Sequence, residues 1–179
     1  NIIEQSSVLT GIPENAIEKD FLFILLLKVI FELPYGENIL FKGGTSLSKG
    51  WKLIDRFSED IDLAISPLFL GFNNLDSKRS IERLRENVYH FTIKRLKDDI
   101  QSNLIKLGVP QDSFDIDIER NAEEKEPVSL VFEYKSILNV SNLYVLPKIK
   151  IDVGGRSLYE PFVSKFLNTI IFETYPNIA

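Results

Sequence analysis

Between Phe41 and Leu63 the chain reads FKGGTSLSKGWKLIDRFSEDIDL. A short apolar strand (Ile39 to Phe41) runs into a glycine pair, Gly43 and Gly44, and then two hydroxyls, Thr45 and Ser46. A helix-compatible run follows, and after it a strand with carboxylates in alternation, Asp60 and Asp62. A glycine turn lets backbone N–H groups approach phosphate closely. Two acids on one face of a strand can hold divalent cations against that phosphate. Together these are the parts that a metal-dependent nucleotidyl transfer needs.

Each part has a plainer reading when taken alone. Strand, glycine turn, helix can be no more than a connection with Thr45 as the helix N-cap. It is not a Walker loop, because Lys49 is followed by Gly50 and no hydroxyl comes next, and no dinucleotide fingerprint is present. Asp60 and Asp62 point to one side of their strand while Ile61 and Leu63 point to the other, which also describes any exposed strand face. The same local pattern recurs at Asp115 and Asp117. No glycine turn precedes that second copy, which is read as a solvated edge or face. Asp60, by contrast, follows Gly44 at a distance that accommodates one helix and a return strand.

A third carboxylate, Asp152, lies in Lys148-Ile-Lys-Ile-Asp-Val. Ile149, Ile151 and Val153 form one face of this strand; Lys148, Lys150 and Asp152 form the other. If the strand lies beside that of Asp60, the acids make a trio. Two metals held there could activate a 3′-hydroxyl and stabilise leaving pyrophosphate, with both lysines facing phosphate. Otherwise it is an ordinary amphipathic strand. Lys49, Lys52 and Arg56 are the basic residues near the glycine turn, and Lys49 and Arg56 join the nucleotide-binding candidates. The later cluster (Arg79, Arg83, Arg85, Lys94, Arg95, Lys97) shares its helix with Glu82, Glu86, Asp98 and Asp99 and reads as a solvated face. The one histidine, His90, reads as a packing or surface residue.

Composition narrows the chemistry. The 179 residues suffice for one domain, or one domain and part of another, with a substantial core. With 44% hydrophobic and 26% charged residues, the chain reads as globular. A net charge of −5 argues against a general polyanion binder, so a nucleic acid would need a local basic patch and metal ions. Without cysteine there is no disulfide, zinc-thiolate or thiol chemistry, and one histidine is too few for a Ser-His-Asp relay or a multi-histidine metal site. The apolar run Phe21 to Leu27 is too short to span a bilayer, and no signal peptide is visible, so the expected location is the cytoplasm. Methionine is absent and the first residue is Asn1, so the first residue is not an initiator: either both ends are trimmed or modified methionines are missing from the string.

The positioning elements follow from periodicity and breakers. Residues 1–12 are a lead-in. Pro13 to Leu33 reads as a helix ended by Pro34 and apolar nearly all round, hence buried. Thr45 to Ile54 reads as a helix, Ser58 to Ile65 as a strand, and Ser80 to Leu107 as a long amphipathic helix stopped by Gly108 and Pro110. Phe114 to Arg120, Ser129 to Leu138 and Lys148 to Val153 read as strands, with a charged hairpin loop at Asn121 to Pro127. Pro161 to Thr174 reads as the start of another helix.

Gly43-Gly44-Thr45-Ser46-Leu47-x-Lys49, followed by Arg56-Phe57-Ser58-Glu59-Asp60-Ile61-Asp62-Leu63, resembles the AbiEii-type abortive-infection toxins, nucleotidyltransferase-like proteins of the DNA polymerase β superfamily. The lead-in Ile17-Glu18-Lys19-Asp20 and the Lys148 to Asp152 strand fit the same pattern. The resemblance implies an α+β fold with a mixed sheet flanked by helices. It implies a nucleotidyltransferase domain over residues 1–160 and a truncated C-terminal helical region beginning at 161–179. It puts Gly43, Gly44, Thr45 and Ser46 at nucleotide phosphates, Asp60 and Asp62 as catalytic metal ligands, and Asp152 as the third carboxylate. It further implies Mg²⁺ (or Mn²⁺), a nucleoside triphosphate substrate, a tRNA or other RNA acceptor, and a cognate antitoxin in a phage-defence toxin–antitoxin pair. Two rival expectations are an antibiotic-modifying type of nucleotidyltransferase acting on a small molecule and a nucleotide-binding regulatory module without turnover.

Overall fold

The computed structural model describes residues 1–50, 60–119, 128–138, 146–155 and 163–177. Among them, the strands β1 (Ile39–Lys42), β2 (Asp60–Ile65), β3 (Phe114–Ile118), β4 (Val128–Tyr134) and β5 (Lys148–Gly155) form one sheet in the order β1-β2-β5-β4-β3. The β2–β5 pair is parallel and the other three pairs are antiparallel. The helices are α1 (Ile2–Thr10), α2 (Glu14–Phe31), α3 (Gly43–Lys49), α4 (Lys78–Phe91), α5 (Lys97–Lys106) and α6 (Ile170–Thr174). This is the mixed sheet flanked by helices expected from the sequence.

Alternation of residue type gives the sheet two unlike faces. One is apolar: Ile61, Leu63, Ile65, Ile116, Leu130, Phe132, Ile149, Ile151 and Val153 are almost wholly buried in the core cluster. Phe23, Leu26, Leu27 and Ile30 of α2 cover this face together with Leu84, Val88, Leu96, Ile100 and Leu104 of the long helical segment. The other face carries Lys42, Asp60, Asp62, Lys150, Asp152, Ser129, Asp115 and Asp117. The candidate acids therefore stand on the side of the sheet turned away from the main core.

The long helix from Lys78 is opened by a Ser77/Ser80 capping box. It continues through a π-helical turn at Thr92–Leu96 into α5. Thr92 is buried there, and its hydroxyl donates to the Val88 carbonyl at 2.8 Å, so the hydroxyl is satisfied within the helix.

Several boundaries differ from the sequence reading. The lead-in contains a helix of its own, α1, capped by the Asn1 side chain. Phe21 and Phe31 of α2 are 47% and 40% exposed, so that helix is only partly enclosed. Helix α3 begins at Gly43 with Lys42 in the capping position, which puts Thr45 inside the first turn rather than at the N-cap. Strand β4 ends at Tyr134, short of Leu138. Residues 163–169 are not helical, and α6 spans only Ile170–Thr174, opened by the Thr169 hydroxyl. The hairpin loop at 121–127, and the proposed helix beyond residue 50, lie outside the described residues.

Candidate active site

The site is assembled by strand register. In the parallel pair, Asp62 stands directly opposite Asp152, and Asp60 opposite Lys150. In the antiparallel pair on the other side of β2, Lys42 stands opposite Asp62. On the far side of β5, Ser129 stands opposite Asp152 and its hydroxyl donates to Asp152 Oδ1. Four strands thus bring Lys42, Asp60, Asp62, Asp152, Lys150 and Ser129 onto one patch of the polar face.

The glycine turn is built against this patch. Gly43 has φ 77°, in the left-handed region, where a residue with a Cβ is strained. A Cβ on Gly43 would also overlap Asp62 Oδ2 and lie 2.7 Å from the Asp62 Cγ. The turn thus needs glycine for its backbone angle and again for the carboxylate that leans on it. Thr45 Oγ1 donates to the Asp60 carbonyl at 2.8 Å, tying α3 to the start of β2. Ser46 Oγ donates to the Gly43 carbonyl at 2.8 Å, closing the turn on itself. Gly44 is the second residue of α3, partly exposed beside them.

The electrostatics are those of crowded acids. The Asp62 carboxyl is raised above the ordinary aspartate range, first by burial and then by the charges of Asp152 and Asp60. Lys42 and Lys150 act in the opposite sense. Lys150 Nζ bonds Glu119 at 2.8 Å and lies 3.6 Å from Asp152 Oδ1. The Glu119 hydrogen bond is the largest influence raising the Lys150 pKa, which keeps it a cation.

Hard carboxylate oxygens gathered around a site of mutual repulsion suit Mg²⁺ or Mn²⁺, whose charge would relieve that repulsion. Among the described residues, however, no three acidic or imidazole side chains already converge as a metal-binding group. Strand register sets Asp62 opposite Asp152 on the same face as Asp60.

Of the remaining candidates, Lys49 does not extend freely toward the acids. It forms an ion pair with Asp20 of α2, with its ammonium 5.4 Å from the centre of the Phe23 ring. Arg56 and Lys52 lie outside the described residues. Asp115 and Asp117 are exposed on β3, the edge strand farthest from β2, as the sequence reading held. A cavity of about 660 Å³ lies between β1, α3 and residues 163–167, lined by Phe31, Asn38, Phe41 and Lys165 among others. Among the described residues, Ser46 is the one candidate on its wall, and none of the three candidate acids lines it.

The sequence reading missed Lys42, Ser129 and Glu119. Lys42 had a visible signal, since it immediately precedes the glycine pair. Ser129 and Glu119 had none, because they join the site through pairing across β4.

A model of the nucleotidyl transferase AbiEii toxin family, described as a type IV toxin–antitoxin system, matches residues 24–179. The chain belongs to the AbiEii family. The match takes in every AbiEii candidate on the polar face, from Lys42 to Asp152. Among solved structures, the chain is similar to MenT4, a nucleotidyltransferase toxin from Mycobacterium tuberculosis H37Rv, at 16% identity and a TM-score of 0.40. That alignment covers 86% of this chain and 42% of MenT4. No curated protein sequence matches the chain. Among the described residues of this AbiEii chain, no helix is long and apolar enough to cross a membrane.

Proposed function

We propose that the protein is a nucleotidyltransferase toxin that moves a nucleoside monophosphate from a nucleoside triphosphate to an RNA acceptor, with tRNA the favoured class. The observation that carries this reading is the parallel register setting Asp62 beside Asp152, with the Gly43 turn packed on Asp62. Family membership supports the reaction type and the pairing with an antitoxin.

Asp60, Asp62 and Asp152 would hold Mg²⁺ or Mn²⁺, which when bound supplies Lewis-acid activation of the acceptor and charge neutralisation at the phosphates. The protein's own groups do the rest. The backbone of Gly43 and Gly44, with the hydroxyls of Thr45 and Ser46, receives the triphosphate. Lys42 and Lys150 offset its charge across the two flanking strands. The acceptor hydroxyl oxygen attacks the α-phosphorus, the bond from that phosphorus to the bridging oxygen breaks, and pyrophosphate leaves. Asp152, oriented by Ser129, takes the proton of the attacking hydroxyl.

The test is incubation of the full-length protein with each labelled triphosphate, Mg²⁺ and total cellular RNA, followed by a denaturing gel. Label on tRNA-sized bands that disappears with Asp60→Ala supports the reading and names the nucleotide. Label on an added aminoglycoside and not on RNA would transfer the activity to a small-molecule acceptor. Nucleotide binding without pyrophosphate release would leave a regulatory module.

A further inference from the structure

Helix α2 carries three consecutive ionisable residues that are nearly inaccessible: Glu18, Lys19 and Asp20, at 6%, 2% and 2% exposure. Charges are seldom buried unless each is paired, because desolvation must be offset by good partners. Glu18 accepts from Ser136 Oγ and from the Ile137 N–H, both at 2.7 Å, just beyond the end of β4. Asp20 uses both of its oxygens. Oδ2 accepts from the Ile170 N–H at 2.7 Å, at the first residue of α6. Oδ1 takes the Lys49 ammonium. The Asp20 side chain is 1% exposed and that of Lys49 19%, so this is a largely desolvated pair rather than a surface contact.

Its place in the fold matters more than its strength. Lys49 is the last residue of α3, and Gly43, which meets Asp62, is the first. The seven-residue helix is about 10 Å long at the ordinary rise, so its two ends are separately fixed. At the start, Thr45 holds the Asp60 carbonyl. At the end, Asp20 holds Lys49. A short helix held at one end can pivot; held at both, it keeps the glycine turn at one angle over the carboxylates.

We propose that Asp20 is a positioning residue for the glycine turn. It acts through Lys49, whose role is to anchor α3 rather than to meet the nucleotide. The consequence for catalysis rests on the nucleotidyltransferase reading above; the anchoring of α3 does not.

The experiment compares the full-length wild type with Asp20→Asn, Lys49→Gln and the double variant. Two readouts are taken: amide hydrogen exchange over residues 43–49 without nucleotide, and KM and kcat for the triphosphate. Asp20→Asn should speed exchange over α3 roughly tenfold, through local opening. It should lower kcat/KM about 10²-fold through misplacement of the turn. The double variant strands no charge, and its two amides can bond each other, so it should recover part of both losses relative to Asp20→Asn. Should Asp20→Asn fail to fold, Lys49→Gln and the double variant carry the same comparison.

Unchanged exchange over α3 in the variants would overturn the anchor. So would a Lys49→Gln protein with wild-type exchange whose activity loss is undiminished in the double variant, since Lys49 would then meet the nucleotide directly. Wild-type protein that transfers no nucleotide to any acceptor would sink the functional reading, and the exchange data alone would then decide the anchor.

Discussion

Gly43 and Asp62 occupy one space: the carboxylate rests where a Cβ at position 43 would be. The glycine turn and the Asp-x-Asp strand are therefore a single unit, in which the backbone that would receive phosphate and an acid that would hold metal are in direct contact. Gly43→Ala should displace the Asp62 side chain and strain a left-handed backbone. The expected losses are about 1–3 kcal/mol of stability and nearly all transfer activity. Denaturant unfolding and the RNA-labelling gel measure the two effects, and a variant with wild-type activity would separate the turn from the site.

Asp62 also predicts a pH dependence. Its carboxyl is raised in the folded protein, chiefly by burial and then by Asp152 and Asp60, so the folded state holds this proton more tightly than the unfolded state. In metal-free protein, its contribution to stability should fall as pH rises from the ordinary aspartate value near 3.8 through the raised one, and then level off. Asp62→Asn removes the charged form. It should raise the melting temperature at neutral pH in chelator while abolishing transfer. Added Mg²⁺ should stabilise the wild type and leave the variant unmoved. Equal melting temperatures for wild type and variant in chelator would contradict the crowding of charge at this position.

Ser129 orients Asp152 without being placed at the triphosphate. Ser129→Ala removes one hydrogen bond to a charged group. The expected result is a fall in kcat of about tenfold with the KM for triphosphate little changed. Steady-state kinetics at saturating RNA provide the check. A rise in KM with kcat intact would place Ser129 in nucleotide binding instead.

Asp115 and Asp117 repeat the Asp-x-Asp pattern on β3, exposed and separated from β2 by two intervening strands. Replacing both by Asn should leave transfer unchanged and shift stability by no more than about 0.5 kcal/mol. Loss of activity with folding intact would mean that the acceptor lies across the far edge of the sheet.

These predictions divide along what can be read from order in the chain and what cannot. Residue order was enough for the strands, for α2 and for the long helix from Lys78, because alternation and helical periodicity are local properties, and for the two-faced sheet that follows from them; it passed over α1 and began the last helix too early. It also carried the glycine turn and both aspartate pairs as patterns, and the combined motif pointed to the AbiEii family. The local pattern of the two aspartate pairs is the same, and in the sequence only the glycine turn before Asp60 told them apart. Pairing added the third acid. Setting β5 parallel to β2 puts Asp152 beside Asp62, and a slip of one residue would have turned it into the core. The same holds for Lys49. Its spacing from the glycines suggests phosphate, but a buried carboxylate 29 residues earlier in the chain holds its ammonium. The sequence by itself determined which groups exist and which face of its own strand or helix each occupies. Only the tertiary structure decided which charges meet, because partners are chosen by distance and burial, and both arise when separate elements pack together.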